Sequence, residues 1–340
     1  MHFFAPDIGI DLGTSNTMIY VKKRGILISE PSLVVVNSGS KRQVQSVGDE
    51  ARRELGRTSA SKTVIRPIRN GVIADFDMTA LMIRYFLRKA VGVSNVFKPK
   101  VVVSVPAGMD DVNRKALTEA VRLSGIKKMY LMEKPFAAAL GSGLPVYDPI
   151  GSMVVDIGGG TTDVAVVSLG GLVVSQSIPV GGQKMDEAIV NHIKREFKML
   201  IGDRTAEDVK TDLASAMPLT ADRRVRIRGR DLLSPQAMDI EYTSQQAYQA
   251  IREPCKAIIA AIRWVLERTP PELAADIMRT GIHLTGGGAQ LYAMDQFIAT
   301  ELGIPVLLAR EPQDCTVAGL GHIVENIPLY TQTGRMPQMG

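Results

Sequence analysis

Short apolar runs rich in β-branched residues alternate along this chain with longer segments in which apolar residues recur at helical spacing. The runs lack strict polar alternation, which is typical of strands buried on both faces, and they lie at 8–12, 100–105 and 152–168. Helical periodicity predicts helices at 78–91, 110–124, 186–201, 205–216, 244–268 and 289–302. The alternation of the two kinds of element predicts an α/β fold.

Individual residues predict where three of these helices start, end or kink. Asp110 or Asp111 is placed to cap the start of one helix, and Gly202 is placed to end another. Pro254 lacks a backbone N–H and should start or kink a helix within the segment that contains it.

Length and composition indicate a folded protein with more than one domain. The 340 residues are 45% apolar and 22% charged, which excludes disorder and collagen-like fibre. This length exceeds the size at which one hydrophobic core usually stops growing, so at least two domains are expected. No low-complexity linker separates two halves, and we therefore expect domains that are interleaved along the chain.

Charge and cysteine content narrow the partners and the compartment. The net charge of +5 is small for this length and does not indicate a nucleic acid partner. Cys255 and Cys315 have no paired spacing, which argues against a zinc site or a disulfide framework and favours a reducing compartment. The sequence has neither a transmembrane run nor a secretory signal at residues 1–7. A cytoplasmic protein is expected.

One segment recurs within the chain. Residues 10–17, IDLGTSNT, are echoed by residues 155–162, VDIGGGTT, and each segment continues an apolar strand. A strand and turn used twice indicates two related halves that face each other across a cleft.

These two turns have the composition of phosphate-binding loops. Because glycine has no Cβ, a turn of Gly, Ser and Thr brings backbone N–H groups and hydroxyls directly against phosphate oxygens. Asp11 and Asp156 stand at the strand ends, where they are placed to hold a hydrated Mg²⁺ beside the phosphates. A third turn, Gly286 to Gly288, follows another apolar segment and is placed to lie against a nucleotide. The chain has no Gly-Lys pair and no complete dinucleotide fingerprint, so the pattern indicates an ATP site of a different class.

Seven strings spread over nearly the whole chain resemble the actin-like ATPase superfamily, and within it the bacterial actins of the MreB/Mbl family. The strings are DIGIDLGTSNT at 7–17, NGVIADF at 70–76, EKPFAAALGSGLPV at 133–146, MVVDIGGGTTDVAVVSLG at 153–170, IGDRTAEDVK at 201–210, RTPPELAADI at 268–277 and LTGGGAQL at 284–291. The resemblance implies an actin-like ATPase fold, in which two related RNase H-like domains with four subdomains surround a nucleotide cleft. The implied subdomains are IA at 1–32, 67–147 and 322–340, IB at 33–66, IIA at 148–183 and 245–321, and IIB at 184–244.

The resemblance also implies which residues bind ATP or ADP. The residues that match the family's nucleotide site are Gly13, Thr14, Ser15 and Asn16 in the first phosphate loop, Gly158, Gly159, Gly160 and Thr161 in the second, Gly182, Glu207 and Lys210 toward the ribose and base, and Gly286, Gly287 and Gly288 at the adenosine. Thr161 also matches a position implicated in hydrolysis. Mg²⁺ is implied near Asp11 and Asp156, held through water.

The chain departs from the family at one functional position. The family usually reads Glu-Glu-Pro, and its second glutamate orients the attacking water, whereas this chain reads Glu133-Lys134-Pro135. A charged lysine cannot accept a proton or a hydrogen bond from water, although it could pair with a γ-phosphate. Glu133 should point the other way on extended backbone. We expect weak or absent ATPase activity, and the alternative is that Glu133 or another acid compensates.

Four arginines alternate with smaller residues in a predicted strand. Arg224, Arg226, Arg228 and Arg230 would share one face of it. The two interpretations are a solvated edge strand and a contact with acidic lipid or a protein partner.

A predicted loop places Val96 and Phe97 beside Lys98 and Lys100, a pairing suited to insertion at an anionic membrane surface. MreB relatives use a similarly placed apolar loop for membrane contact. The alternative is that Val96 and Phe97 cover the core before the next strand. Phe3 and Phe4 are a second candidate contact.

The resemblance implies an ATP-binding cytoskeletal protein that polymerises into filaments. Its expected partners are other copies of itself, the inner face of the cytoplasmic membrane and the cell-wall elongation proteins, and its expected role is to determine rod shape by organising wall synthesis. A small-molecule kinase of the same superfamily is the alternative, although no substrate-binding carboxylate motif is evident. A chaperone ATPase is disfavoured because too little chain follows Gly321 for a peptide-binding domain.

Overall fold

The computed structural model describes residues 6–38, 42–56, 61–92, 99–332 and 338–339, the last two by their backbone alone. The strands are β1 (Ile8–Leu12), β2 (Asn16–Val21), β3 (Gly25–Pro31), β4 (Val34–Asn37), β5 (Val44–Val47), β6 (Lys62–Ile65), β7 (Ile68–Arg69), β8 (Val72–Ile73), β9 (Lys100–Val105), β10 (Lys128–Glu133), β11 (Ser152–Ile157), β12 (Thr162–Ser168), β13 (Gly171–Ile178), β14 (Met199–Leu200), β15 (Arg224–Asp231), β16 (Ala237–Thr243), β17 (Ile282–Thr285), β18 (Val306–Leu308) and β19 (Gln338–Met339).

Helices alternate with these strands along the described chain. They are α1 (Asp49–Glu54), α2 (Phe76–Val91), α3 (Asp111–Leu123), α4 (Lys134–Gly141), α5 (Gly182–Phe197), α6 (Asp203–Leu213), α7 (Ser244–Arg268), α8 (Pro271–Thr280), α9 (Met294–Leu302), α10 (Cys315–Glu325) and α11 (Ile327–Gln332), with short 3₁₀ helices at Gly287–Gln290 and Pro312–Asp314. The predicted α/β class is confirmed.

Two mixed sheets with matching strand arrangements form the centre of the molecule. The first has the order β3-β2-β1-β9-β10, with β19 at its edge, and the second has the order β13-β12-β11-β17-β18. In the first sheet β1 pairs antiparallel with β2 and parallel with β9, and in the second β11 pairs antiparallel with β12 and parallel with β17. The duplication that the sequence echo predicts is therefore present in the backbone.

Helices α4 and α10 lie between the two sheets. Their buried side chains form one cluster with Val102 of β9 and Val154 of β11. Ala137, Ala138 and Ala139 of α4 are small and fully buried, so the packed layers approach closely. This packing holds the ends of β1 and β11 at opposite walls of one cleft.

Helix ends follow the predicted caps in one case and differ in another. The Asp110 side chain accepts a hydrogen bond from the Asn113 N–H and caps α3, as predicted. Helix α5 begins four residues earlier than the predicted 186–201 and also ends four residues earlier. The prediction that Gly202 ends it is wrong, because Lys198 adopts a left-handed conformation with φ of 54° and ends α5, while Gly202 precedes α6. The predicted helix at 289–302 divides into the 3₁₀ turn and α9.

Of the two outcomes predicted for Pro254, the helix start is wrong, because α7 continues through it from Ser244 to Arg268, and the kink stays a prediction. An interior proline costs about 3 kcal/mol or more through its lost hydrogen bond and ring clash. Burial of one face of α7, including Ile251, Ile258 and Ile262, offsets that cost, since each fully buried side chain contributes about 1.5–3 kcal/mol.

The arginine-rich strand is β15, and its four arginines are exposed on one face, as predicted. Strand β14 pairs with β15 only at Arg230 and Asp231, so Arg224 to Gly229 form a strand edge among the described residues, and the solvated edge-strand interpretation is confirmed for them. Acidic residues of β16 pair with three of the guanidinium groups: Arg224 contacts Glu241 at 3.4 Å, and Arg226 and Arg228 contact Asp239 at 2.8 and 3.5 Å. This pairing weakens the case for a lipid contact.

Two further predictions concern membranes and thiols. Across the described ranges, every helix is either too short or too polar to span a bilayer. Cys255 and Cys315 are both buried as free thiols, and burial raises the pKa of each to about 12.

Candidate functional site

A cleft of about 600 Å³ opens between the two central sheets. Its wall contains every residue that the sequence predicts to contact the nucleotide: Gly13, Thr14, Ser15, Asn16, Gly158, Gly159, Gly160, Thr161, Gly182, Glu207, Lys210, Gly286, Gly287 and Gly288. Asp11, Asp156 and Lys134 line the same cleft. Residues from distant parts of the chain thus converge on one space.

The two predicted phosphate loops have the same backbone geometry. In the β1–β2 turn, the Gly13 N–H donates to the Asn16 carbonyl at 3.1 Å. In the β11–β12 turn, the Gly158 N–H donates to the Thr161 carbonyl at 2.8 Å. Each turn is tight and carries small residues, and this composition lets backbone N–H groups approach an anion closely.

The two loops also contact each other across the cleft. A Cβ added at Gly160 would overlap the Thr14 side chain, so this approach requires glycine. Thr14 Oγ1 in turn accepts a hydrogen bond of 3.0 Å from the Gly71 N–H. Because the loops come together here, an anion bound between them would meet both sets of donors.

The remaining predicted residues form the wall beyond the loops. Lys210 pairs with Asp186 at 2.8 Å and donates to the Gly182 carbonyl at 3.2 Å. The turn at Gly286 has φ of 85°, and a Cβ there would overlap the Ile157 backbone, so the turn lies flat against β11. This wall offers a shallow backbone surface with one paired cation, which suits a nucleoside.

Asp11 and Asp156 are buried at the ends of β1 and β11, and each has a fixed partner. Asp11 Oδ1 accepts a hydrogen bond of 2.6 Å from Ser104 Oγ. Asp156 Oδ1 accepts one of 3.0 Å from Thr285 Oγ1. Asp156 Oδ2 is buried without a hydrogen-bond partner among the described residues.

Lys134 reaches the space between these carboxylates. Its Nζ lies 3.8 Å from Asp11 Oδ1 and 3.5 Å from Asp156 Oδ2, and 13% of its side chain is exposed. Burial by itself would lower the pKa of Lys134, but the charges of Asp11, Asp156 and Asp163 outweigh it and hold that pKa above its ordinary value. Lys134 is therefore a charged, buried ammonium in the cleft.

The placement of Lys134 bears on the predicted Mg²⁺ ion. Asp11 and Asp156 converge as the sequence predicts, but an ammonium stands beside both carboxylates. Over the described ranges, no cluster of three or more His, Cys, Asp or Glu side chains has the arrangement of a metal site. Mg²⁺ at this position stays a prediction, and these residues do not fit it in the way that the sequence implies.

The two groups considered for hydrolysis have other contacts. Thr161 Oγ1 donates a hydrogen bond of 3.0 Å to Asp163 Oδ2. Glu133 lines a separate cavity with Arg114 and Phe136 and is not part of the nucleotide cleft wall. The prediction that Glu133 points away from Lys134's site is confirmed, which leaves Glu133 poorly placed to orient water.

Three polar residues near the site were not predicted from the sequence. Ser104, Asp163 and Asp186 contact Asp11, Thr161 and Lys210 respectively. Ser104 is the polar residue in the apolar run VVVSV of β9, and that interruption was a usable signal.

The predicted membrane loop, Val96 and Phe97, lies outside the described residues, as do Phe3 and Phe4. Their membrane contact stays a prediction.

Comparison with known proteins agrees with this geometry. The MreB/Mbl protein family matches residues 5–332. Cell shape-determining protein Mbl of Bacillus subtilis (strain 168) is 47% identical over 325 residues, which cover 95% of this chain and 97% of that protein. Cell shape-determining protein MreB of Escherichia coli (strain K12) is 44% identical, with coverage of 96% and 95%.

A solved structure extends the match to three dimensions. MreB5 of Spiroplasma citri bound to AMPPNP superimposes with a TM-score of 0.91 at 32% identity, covering 98% of this chain and 100% of that one. The fold is therefore actin-like, and the chain belongs to the MreB/Mbl family.

Proposed function

We propose that this chain binds ATP or ADP in the cleft and polymerises into filaments in its nucleotide-bound form. The observation that carries the proposal is the pair of matching turns at Gly13 and Gly158, which are closed by the same type of hydrogen bond and line one cleft. The similar Spiroplasma citri protein binds AMPPNP, an ATP analogue, and this supports the same class of ligand here.

The proposed cellular role is to determine rod shape by organising cell-wall synthesis. The relatives from Bacillus subtilis and Escherichia coli are named for cell shape determination, which supports this role. The proposed location is the cytoplasm, at the inner face of the cell membrane, with wall elongation proteins as partners. Membrane contact is assigned to Val96 and Phe97, with Phe3 and Phe4 as the second candidate.

Nucleotide-dependent closure is the proposed link between binding and assembly. We retain the division into four subdomains, in which 33–66 and 184–244 form the two sides of the cleft mouth. Arg52 contacts Glu207 at 3.4 Å, and Arg66 contacts Asp203 at 3.4 Å, so two ion pairs connect these sides. Such exposed pairs are weak, which suits a contact that opens and closes.

Hydrolysis by this chain is proposed to be slow. The family position that orients water holds Lys134, whose ammonium offers donors and no acceptor. The Thr161 hydroxyl is committed to Asp163, and Glu133 faces another cavity. Positioning of the nucleophile is a large part of phosphoryl transfer to water, so its loss lowers the rate strongly.

Sedimentation with and without ATP, followed by negative-stain microscopy, tests this function against the kinase alternative. The proposal predicts filaments that pellet when nucleotide is present. Protein that stays monomeric with ATP bound, and that transfers phosphate to a small-molecule acceptor, would instead establish the kinase.

A further inference from the structure

We propose that the Lys134 ammonium takes over the charge-neutralising role of a divalent cation between Asp11 and Asp156. Nucleotide binding by this chain then depends much less on Mg²⁺ than binding by a variant without the lysine. The inference rests on the proposed function, because it assumes that the cleft holds a nucleotide.

The carboxylate oxygens of Asp11 and Asp156 have neighbours within the protein. Asp11 Oδ1 and Asp156 Oδ1 already accept hydrogen bonds from Ser104 and Thr285. Asp156 Oδ2 is buried, and the ammonium of Lys134 at 3.5 Å is its charged neighbour in the described chain. The lysine therefore meets the need that a metal ion would otherwise meet.

Lys134 and a divalent cation would compete for the same space. A cation placed between Asp11 and Asp156 would lie beside a like charge that is already within 4 Å of both. If Lys134 moved away to make room, its largely buried ammonium would lose the two carboxylates that offset its burial, which is unfavourable. The lysine and a divalent cation thus exclude each other at this position.

The Lys134 ammonium also borders the second phosphate loop. A Cβ built on Gly158 would lie 3.6 Å from Lys134 Nζ, so the charge sits directly against the second turn. An ammonium has three donors that can point in different directions. Lys134 can therefore contact the aspartates and a phosphate oxygen from one location.

Local structure gives no reason for a lysine here. Lys134 is the first residue of α4, and the N-terminal end of a helix disfavours positive charge. Its buried ammonium is held by carboxylates from two other strands, which accounts for its placement. This contact joins the two central sheets at the nucleotide cleft.

The experiment is a titration of the purified full chain with a fluorescent ADP analogue, once in excess Mg²⁺ and once in excess EDTA. The parent is expected to bind with dissociation constants that differ by less than about threefold between the two conditions. Lys134→Gln and Lys134→Glu are expected to bind at least about tenfold more weakly in EDTA than in Mg²⁺. Lys184→Gln is the matched control, because Lys184 pairs with Glu187 on an exposed helix face and should behave as the parent does.

The outcomes separate this inference from the proposed function. A parent that binds in Mg²⁺ but loses about tenfold or more in EDTA overturns the role of Lys134 and leaves the nucleotide site intact. A parent that binds in neither condition contradicts the proposed function itself. The parent titrations can overturn the role of Lys134 even if a Lys134 variant fails to fold. Binding of Mn²⁺ to the ADP-loaded protein, followed by electron paramagnetic resonance, gives a second readout and should be stronger in Lys134→Glu than in the parent.

Discussion

Replacing Lys134 by methionine removes one buried charge while keeping a side chain of similar length. The change leaves Asp11 and Asp156 in the cleft without the ammonium that lies 3.8 and 3.5 Å from them. Removing one partner of a buried ion pair is far more costly than removing one partner of an exposed pair, because the other charge stays desolvated. We therefore expect nucleotide-free Lys134→Met to be clearly less stable than the parent.

The expected decrease in the free energy of unfolding can be estimated in two independent ways. At an effective dielectric of about 20, charges 3.5 Å apart attract by about 5 kcal/mol. The variant can instead bind a proton at one aspartate, whose ordinary pKa is 3.8. Protonating that carboxyl near pH 7 costs about 1.36 kcal/mol for each pH unit above 3.8, which is about 4 kcal/mol. Protonation therefore limits the loss near pH 7 to about 4 kcal/mol.

The loss of stability in Lys134→Met should decrease as the pH falls. Burial raises the pKa of Asp156, and without Lys134 to oppose it that pKa rises further in the folded state. A carboxyl whose folded pKa is raised favours folding at low pH and loses that contribution as the pH increases through the folded value. The loss in Lys134→Met should therefore shrink to about 1.6 kcal/mol near pH 5. In the parent, the raised pKa of Lys134 gives a contribution that is constant below 10.5, so it does not change between these two conditions.

Urea unfolding of nucleotide-free parent and variant, near pH 7 and near pH 5, measures both quantities. Lys184→Met is the matched control, because its partner Glu187 is exposed. A loss below about 1 kcal/mol that is the same at both pH values would refute the reasoning, since it would place Lys134 among solvent-screened pairs.

Three further predictions concern catalysis, the membrane and the phosphate site. Lys134→Glu should raise steady-state phosphate release by about tenfold or more at equal filament mass, because it restores a hydrogen-bond acceptor for the attacking water. A parent protein that already releases phosphate as fast as the variant would contradict this. Replacing Val96 and Phe97 together by serine should reduce co-sedimentation with anionic liposomes and leave nucleotide affinity as in the parent. If the variant pellets with liposomes as well as the parent does, the two residues are structural and do not contact the membrane. Gly160→Val should weaken nucleotide binding by about a hundredfold, because the new side chain collides with Thr14 between the two loops. Titration with a fluorescent nucleotide analogue measures this affinity. An affinity equal to the parent's would exclude this space as the phosphate site.

The sequence was sufficient for features that depend on local geometry. In the turns at Gly13 and Gly158, the glycine N–H donates to the carbonyl of the residue three positions later. A string of small residues that recurs in the sequence therefore predicts both turns. The Asp110 cap is equally local. Long apolar strands without polar alternation likewise indicate burial on both faces, and β11 and β12 are fully buried.

The sequence was insufficient where packing between distant segments decides the outcome. Pro254 has an unfavourable local effect, yet the buried face of α7 keeps the helix continuous. The contact of Lys134 with Asp11 and Asp156 depends on α4 packing between two sheets, and no short-range pattern encodes it. The sequence identified Lys134 as the loss of a glutamate, whereas the structure adds that its ammonium holds the two carboxylates.

The most direct test of the whole account is an experimental structure of the protein with ATP bound. We expect the triphosphate between the turns at Gly13 and Gly158, with the adenosine against Gly286 to Gly288. A cleft that remains empty at saturating ATP, or a nucleotide seated outside these two turns, would contradict it.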